Sequence, residues 1–199
     1  MSELLTYIHL GFHHVASSGA LDHMLFLLAL AAVYRPRDWR ESLWVITAFT
    51  IGHSLTLALV VTRMVELPRA WIEFLIPVTI VLTCVGNLLS ARNGTPRPGR
   101  RRAIYAIIFG LVHGAGFADY LRSMFLDHIA VPLIGFNISI EAGQVLVLTL
   151  ASCVLWFGDR LLGGLAARGA TAGFRRRVVL VSLAAGVMAS GMALERLPF

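Results

Sequence analysis

The chain has 199 residues, of which 57% are hydrophobic and only 14% are charged, and its mean hydropathy is +0.76. These values exclude an ordinary soluble domain, which carries about 25% charged residues, and they predict an integral membrane protein. The net charge of +6 does not indicate nucleic-acid binding, because all 17 basic residues are arginines that fall between or at the ends of apolar runs.

The first apolar region, residues 4–34, begins with polar residues and ends in a strongly apolar run. Gly19 separates the two halves, so this region predicts one long span or two helices with a break near Ser17–Gly19.

Five further apolar runs follow, at residues 42–62, 70–91, 103–122, 132–157 and 178–194. Each is close to the roughly 20 residues that a transmembrane helix needs. The segments 92–102 and 158–177 predict basic loops. The sequence therefore predicts an all-α membrane helix bundle of six spans, or seven helices if the first region is broken, in a single domain covering residues 1–199.

The arginines are distributed unevenly among the predicted loops. The first, third and fifth loops hold 13 of the 17, and the remaining four lie in the other loops and the C-terminal tail. Under the positive-inside rule, the odd-numbered loops are predicted to be cytoplasmic and both termini to lie outside. The predicted location is the bacterial inner membrane.

Histidine or carboxylate side chains lie well inside four of these apolar runs, whereas Glu73 lies near the start of the run 70–91. A charged side chain at the bilayer centre costs roughly 2.5–3.5 kcal/mol on insertion scales, so such residues usually have partners and a function. His53 and His113 lie near the middle of their spans, and Asp22-His23 and Glu141 are predicted at similar depth. These residues predict one intramembrane site, to which four segments of the chain contribute.

Residues around this set predict supporting roles. Asn137, Glu141 and Gln144 share one helix face, which predicts a substrate or metal site or a hydrogen-bond network between helices. Asp22 is interpreted as a metal ligand, as a partner of a metal-bound histidine, or as a helix cap. Ser54 adjoins His53 and is predicted to support it.

Three more histidines, His9, His13 and His14, lie nearer the predicted outer face. They predict an access path toward the site, and His14 is included among the candidate metal ligands. Histidine and carboxylate without thiolate suits nickel, zinc, iron or cobalt.

Three functions are compatible with such a site. The first is a permease for one of these divalent ions. The second is an intramembrane zinc-type hydrolase that cleaves a lipid or peptide bond, with Glu141 or Asp22 as general base. The third is a partner in a larger membrane complex, and a homo-oligomer is also open. The lipid bilayer and a metal ion are the predicted partners in the first two cases.

Four segments, in the same order, resemble motifs of the HupE/UreJ family of membrane proteins. They are residues 11–28, 47–57, 110–117 and 136–144. This family is associated with hydrogenase and urease gene clusters, and its members are regarded as permeases for nickel or a related metal. The resemblance implies metal transport. It places the functional residues at His14, Asp22, His23, His53, His113, Glu141 and Gln144.

Overall fold

The computed structural model describes residues 3–16, 20–93, 100–124, 130–165 and 170–198. Within these ranges the protein is helical and contains no strand. The helices are α1 (Glu3–Ala16), α2 (Leu21–Ala31), α3 (Trp39–Val61), α4 (Arg69–Arg92), α5 (Arg100–Met124), α6 (Ala130–Leu165) and α7 (Ala170–Glu195). The predicted helical membrane bundle is confirmed, and the alternative with seven helices is the one observed.

The first apolar region is divided into two short helices. With 14 and 11 residues, α1 and α2 are about 21 and 16 Å long at 1.5 Å per residue. Each is too short to cross a hydrocarbon core of about 30 Å alone. The predicted break at Ser17–Gly19 falls outside the described residues, between the end of α1 and the start of α2. The prediction that this region crosses the membrane as one broken span is consistent with two consecutive short helices.

Four helices are long and apolar enough to cross a membrane by length and composition. They contain the segments Trp39–Val61, Arg69–Arg92, Leu133–Leu161 and Ala172–Glu195. The stretch Arg102–Ala118 of α5 is a shorter apolar helix that carries the predicted fourth span. These elements account for the predicted spans after the first region.

The predicted loop at 158–177 was too long. Helix α6 continues to Leu165 and α7 already begins at Ala170. Arginine and leucine are strong helix formers, and isolated glycines in a helix cost only about 1 kcal/mol each relative to alanine. Glycine and arginine content alone therefore did not indicate where the helices end.

Glycines bring α3 and α5 into backbone contact. A Cβ atom added to Gly110 would overlap the carbonyl oxygen of Phe49, and one added to Gly114 would overlap that of His53. Small residues allow this close approach of membrane helices. In both contacts the α5 residue follows its α3 partner by the same number of residues, so α3 and α5 run parallel. This is expected, because one other span, α4, lies between them along the chain. The close packing fixes the backbone of His53 beside that of His113.

A buried arginine joins three elements at the end of the bundle where the basic loops lie. Arg177 on α7 is 8% exposed. It donates hydrogen bonds to the carbonyl oxygens of Ala32 (3.2 Å) and Tyr34 (3.0 Å) and pairs with Asp159 of α6 at 2.8 Å. The sequence assigned this arginine to a loop with a topological role only. The structure places it in a helix, as a cross-link between the end of α2, α6 and α7.

Candidate metal centre

Three histidines meet where the first span is broken. His14 is near the end of α1, His23 is in the first turn of α2, and His53 lies in the middle of α3. One ring nitrogen from each lies within 4.8 Å of the others. Tetrahedral zinc with bonds of about 2.1 Å separates its ligand atoms by about 3.4 Å. Small side-chain rotations would therefore bring the three imidazoles onto one ion.

A fourth histidine adjoins this group. The His113 ring centroid on α5 is 5.3 Å from that of His23. Its Nε2 atom is 3.1 Å from the hydroxyl oxygen of Thr79 on α4, and that hydroxyl donates its own hydrogen to the carbonyl oxygen of Ile76. When the hydroxyl hydrogen is on the Ile76 carbonyl, the hydroxyl accepts from His113 and the ring proton is on Nε2. Nδ1 of His113 is then left as a free acceptor.

Several ring nitrogens of these imidazoles are buried and have no hydrogen-bond partner among the described residues. His53 and His113 are 0% and 1% exposed, and His23 is 6% exposed. Buried ring nitrogens without a protein partner are found on all four histidines: Nε2 of His14 and His23, both nitrogens of His53, and Nδ1 of His113. A buried polar atom without a partner costs about 1–3 kcal/mol. A bound cation would satisfy several of these atoms at once.

Phenylalanines surround the four rings. The Phe117 ring centroid lies 3.8 Å from that of His14, and Phe117 stacks on Phe136 at 5.1 Å. Phe49 lies 5.1 Å from His113 and Phe26 lies 5.9 Å from it. These apolar side chains limit the access of water to the ring nitrogens. A metal ion would therefore displace few water molecules from the imidazoles when it binds.

Glu141 and Gln144 contact α3 through two threonines. Thr47 donates to the Glu141 carboxylate at 2.7 Å, and Thr50 donates to the Gln144 side-chain oxygen at 3.1 Å. These bonds confirm that the polar face of α6 points into the bundle, and they form the predicted network between helices. Asn137 is half-buried, and its side-chain oxygen has no hydrogen-bond partner among the described residues. The role of Glu141 as a metal ligand stays a prediction, with Gln144 and Asn137 as its support.

Asp22 is paired with an arginine from the far end of the chain. Its carboxylate lies 3.1 Å from Nη1 of Arg196, which follows α7. The alternative in which Asp22 caps α2 is wrong, because Ala20 occupies the cap position and no side chain bonds there. The role of Asp22 as a ligand or general base stays a prediction. Ser54 is half-buried next to His53, and its supporting role is likewise a prediction.

Only one of the three outer histidines joins the group. His9 and His13 are exposed and stack on each other with centroids 6.3 Å apart, whereas His14 turns toward His23. The sequence analysis included His14, but not His9 or His13, among the candidate metal ligands, and it did not identify Thr79. Thr47, Thr50 and His53 follow one another at intervals of three residues, which places them on one face of α3. This spacing was the feature of the sequence that could have indicated which face of α3 contacts α6.

The fold and the histidine group define a helical membrane protein with a buried imidazole cluster that could hold a metal ion. The chain belongs to the HupE/UreJ family: the family model described as HupE / UreJ protein matches residues 1–196. This membership supports a role in metal handling. Neither the comparison with curated proteins nor that with solved structures found a match.

Proposed function

We propose that the protein is a permease that moves a divalent transition metal ion, such as nickel, cobalt, zinc or iron, across the bacterial inner membrane. The observation that carries the proposal is the group of His14, His23 and His53, whose ligand atoms lie within 4.8 Å of one another at the break in the first span. In this proposal the ion is the cargo and the imidazoles hold it in transit.

The broken first span supports transport. Many transporters place their substrate at discontinuous helices near the middle of the membrane. Here α1 ends and α2 begins beside the three imidazoles, and a short movement of either helix would change the ligand set. An ion held between two half-length helices can be released without moving a whole span.

The charge of the site also favours release. Imidazole binds metals in its neutral form, so the three histidines add no negative charge. No carboxylate belongs to the group among the described residues, and Asp22 is partly balanced by its ion pair with Arg196. A neutral ligand set holds a dication less firmly than thiolates or carboxylates do. This is what a permease requires of a transient site.

The same three nitrogens also favour the hydrolase as a second candidate. Three histidines with an open fourth position can hold a catalytic zinc ion and activate its bound water. A resident zinc would remain with the purified protein in a ratio near one per chain, whereas a cargo ion would exchange. Metal content therefore separates the two candidates.

The orientation we propose follows from the arginines. With 13 of 17 in alternate loops, those loops lie in the cytoplasm and both termini lie outside. Cargo would then approach His14 from the α1 side and leave toward the arginine-rich end.

The test is uptake of nickel, cobalt or zinc by proteoliposomes containing the wild-type protein, His23→Ala or His13→Ala. We expect His23→Ala to reduce uptake by at least about 100-fold, more than the 10–100-fold typical of losing an outer-shell partner. His13→Ala is the matched control, since His13 is exposed, and it should retain uptake.

Three results would contradict the permease. The first is one tightly held zinc per chain that is lost in His23→Ala, without uptake, which would identify the hydrolase. The second is a protein that neither contains nor binds metal, which would remove the metal hypothesis. The third is equal uptake by both variants, which would exclude the histidine group as the route.

Thr79 is expected to tune the same site through His113. Thr79→Val removes the acceptor for the Nε2 proton of His113 at nearly constant volume, so the ring can rotate or change tautomer. Loss of such an orienting partner typically lowers metal affinity by about 10–100-fold, and we expect that decrease in a nickel or zinc titration.

The control for this prediction is Thr79→Ser, which keeps the hydroxyl and should bind metal like the wild type. The thermal midpoint of both variants in detergent checks that the fold is unchanged. Equal affinities for Thr79→Val and Thr79→Ser would show that the orientation of His113 does not contribute.

A further inference from the structure

A cavity lies between the beginning of α3 and the second half of α6, and no histidine lines it. Its volume is about 600 Å³, and it is half-enclosed and lined mostly by apolar groups. Its lining includes Tyr34, Arg35, Trp39, Leu43, Leu148 and Trp156. We refer to it as the α3–α6 cavity.

A buried hydroxyl without a partner lies in this lining. Tyr34 is 3% exposed, and its phenol oxygen has no hydrogen-bond partner among the described residues. Buried tyrosine hydroxyls usually find one, because leaving the group unsatisfied costs about 1–3 kcal/mol. A ligand with an acceptor atom in the cavity would satisfy it.

Arg35 adds a positive charge to the same lining. Its guanidinium packs over the Phe174 ring at 4.1 Å, and within the described ranges it forms no ion pair. The neighbouring Asp38 carboxylate is already used, since it accepts the backbone N–H of Arg35 at 3.1 Å and lies 3.6 Å from Arg37. The Arg35 side chain is therefore available for an anion.

The position of the cavity indicates a membrane interface. Trp39 and Trp156, which line it, are 54% and 44% exposed, and tryptophans are enriched where a span meets the headgroup layer. The buried Arg177 lies at the same end of the bundle, since it donates to the Tyr34 carbonyl. The cavity lining thus combines an arginine, and a tyrosine whose hydroxyl has no partner among the described residues, with several apolar side chains.

We propose that the α3–α6 cavity binds one anionic phospholipid from the leaflet at the arginine-rich end of the bundle. Arg35 and the Tyr34 hydroxyl bind the headgroup phosphate, and an acyl chain lies along Leu43, Val145 and Leu148. Arginine forms strong charge-assisted hydrogen bonds with phosphate. The apolar lining gives a lipid an advantage over a soluble anion, which would bury no apolar surface there.

The lipid would act near the helix crossing that supports the metal centre. Leu43 precedes Thr47 by four residues on α3, and Leu148 follows Gln144 by four residues on α6. Residues four apart share a helix face, so the lipid chain would pack directly below the hydrogen bonds of Thr47 and Thr50 with Glu141 and Gln144. Binding itself does not depend on the proposed metal transport.

The experiment is native mass spectrometry of the detergent-purified full chain, titrated with phosphatidylglycerol or phosphatidylcholine of the same acyl chains. The variants are Arg35→Gln, Tyr34→Phe and Ser152→Phe, where Ser152 lines the cavity and phenylalanine would fill it. Arg37→Gln is the matched control, because Arg37 is an exposed arginine two residues away.

We expect one phosphatidylglycerol per chain, bound at least tenfold more tightly than phosphatidylcholine. Arg35→Gln should lose that preference, Ser152→Phe should weaken binding of both lipids, and Tyr34→Phe should weaken phosphatidylglycerol several-fold. Arg37→Gln should bind like the wild type. Thermal midpoints in lipid-free detergent identify any variant that has lost its fold.

Several results would overturn the proposal. Equal binding of the two lipids would indicate annular lipid without a site. Equal losses in Arg35→Gln and Arg37→Gln would indicate surface charge alone. Displacement of the lipid by millimolar inorganic phosphate would identify a soluble anion as the ligand. Unchanged binding in a folded Ser152→Phe variant would place the lipid elsewhere.

Discussion

Gly110→Leu is expected to prevent the protein from accumulating as a folded, monodisperse species. Any side chain at this position would overlap the carbonyl oxygen of Phe49, and a backbone atom cannot rotate away as a side-chain tip can. Helices α3 and α5 would have to separate, which would also move His53 away from His113. The measurement is the monodisperse fraction in size-exclusion chromatography after extraction in mild detergent.

Gly86→Leu is the control for this effect. Gly86 lies within helix α4, and a Cβ atom there would meet nothing within 4 Å. Replacing a helical glycine removes a propensity penalty of about 1 kcal/mol relative to alanine, so this variant should be as stable as the wild type or more so. Similar losses in both variants would show that α3 and α5 do not depend on backbone contact.

The sequence indicated small residues around His113 but not their partner. Gly110 and Gly114 are four apart and share a face, which is sufficient to predict close helix packing. Nothing in the pattern selects α3 as the neighbour, or pairs Gly114 with the His53 carbonyl. That choice depends on how seven helices fill space together, and local periodicity carries no information about it.

Some residues of the predicted site have long-range partners that the sequence did not indicate. His23, His53 and His113 lie together as predicted, because apolar spans of similar length place their midpoints at similar depth. Glu141 accepts a hydrogen bond from Thr47 and Asp22 pairs with Arg196, and their roles as ligands stay predictions. Arg196 lies 174 residues from Asp22 along the chain, and its predicted place was the C-terminal tail. Depth could be estimated from the sequence, whereas the direction of each side chain could not.

The basic residues show a similar limit. Counting arginines by loop uses only their position along the chain, and it treats Arg176 and Arg177 alike. The structure exposes Arg176 and buries Arg177 against three acceptors. The difference arises from the 100° rotation between neighbouring helical residues, and it becomes visible only once the N-terminal end of α7 is known to be helical.

Arg177→Met is therefore expected to lower the free energy of unfolding by about 3–5 kcal/mol, the range for removing one partner of a buried ion pair. Methionine retains much of the apolar stem, so the loss comes from the unpaired Asp159 carboxylate and the carbonyl oxygens of Ala32 and Tyr34. The measurement is unfolding in mixed micelles with increasing sodium dodecyl sulfate.

Arg176→Met makes the same chemical change one residue away, at an exposed position. It should change stability by no more than about 0.5 kcal/mol, as is usual for surface substitutions. A loss equal to that of Arg177→Met would mean that general charge at this end, and not the buried contacts, stabilises the bundle.

The double variant Arg177→Met, Asp159→Leu tests the cause directly. Removing both members of a buried pair is often nearly neutral, because no uncompensated charge remains. The double variant should therefore recover much of the stability lost in Arg177→Met. The carbonyl oxygens of Ala32 and Tyr34 would still lack their donor, so recovery should stay incomplete. That remaining loss measures how strongly Arg177 ties the end of α2 to α7, beside the lining of the α3–α6 cavity.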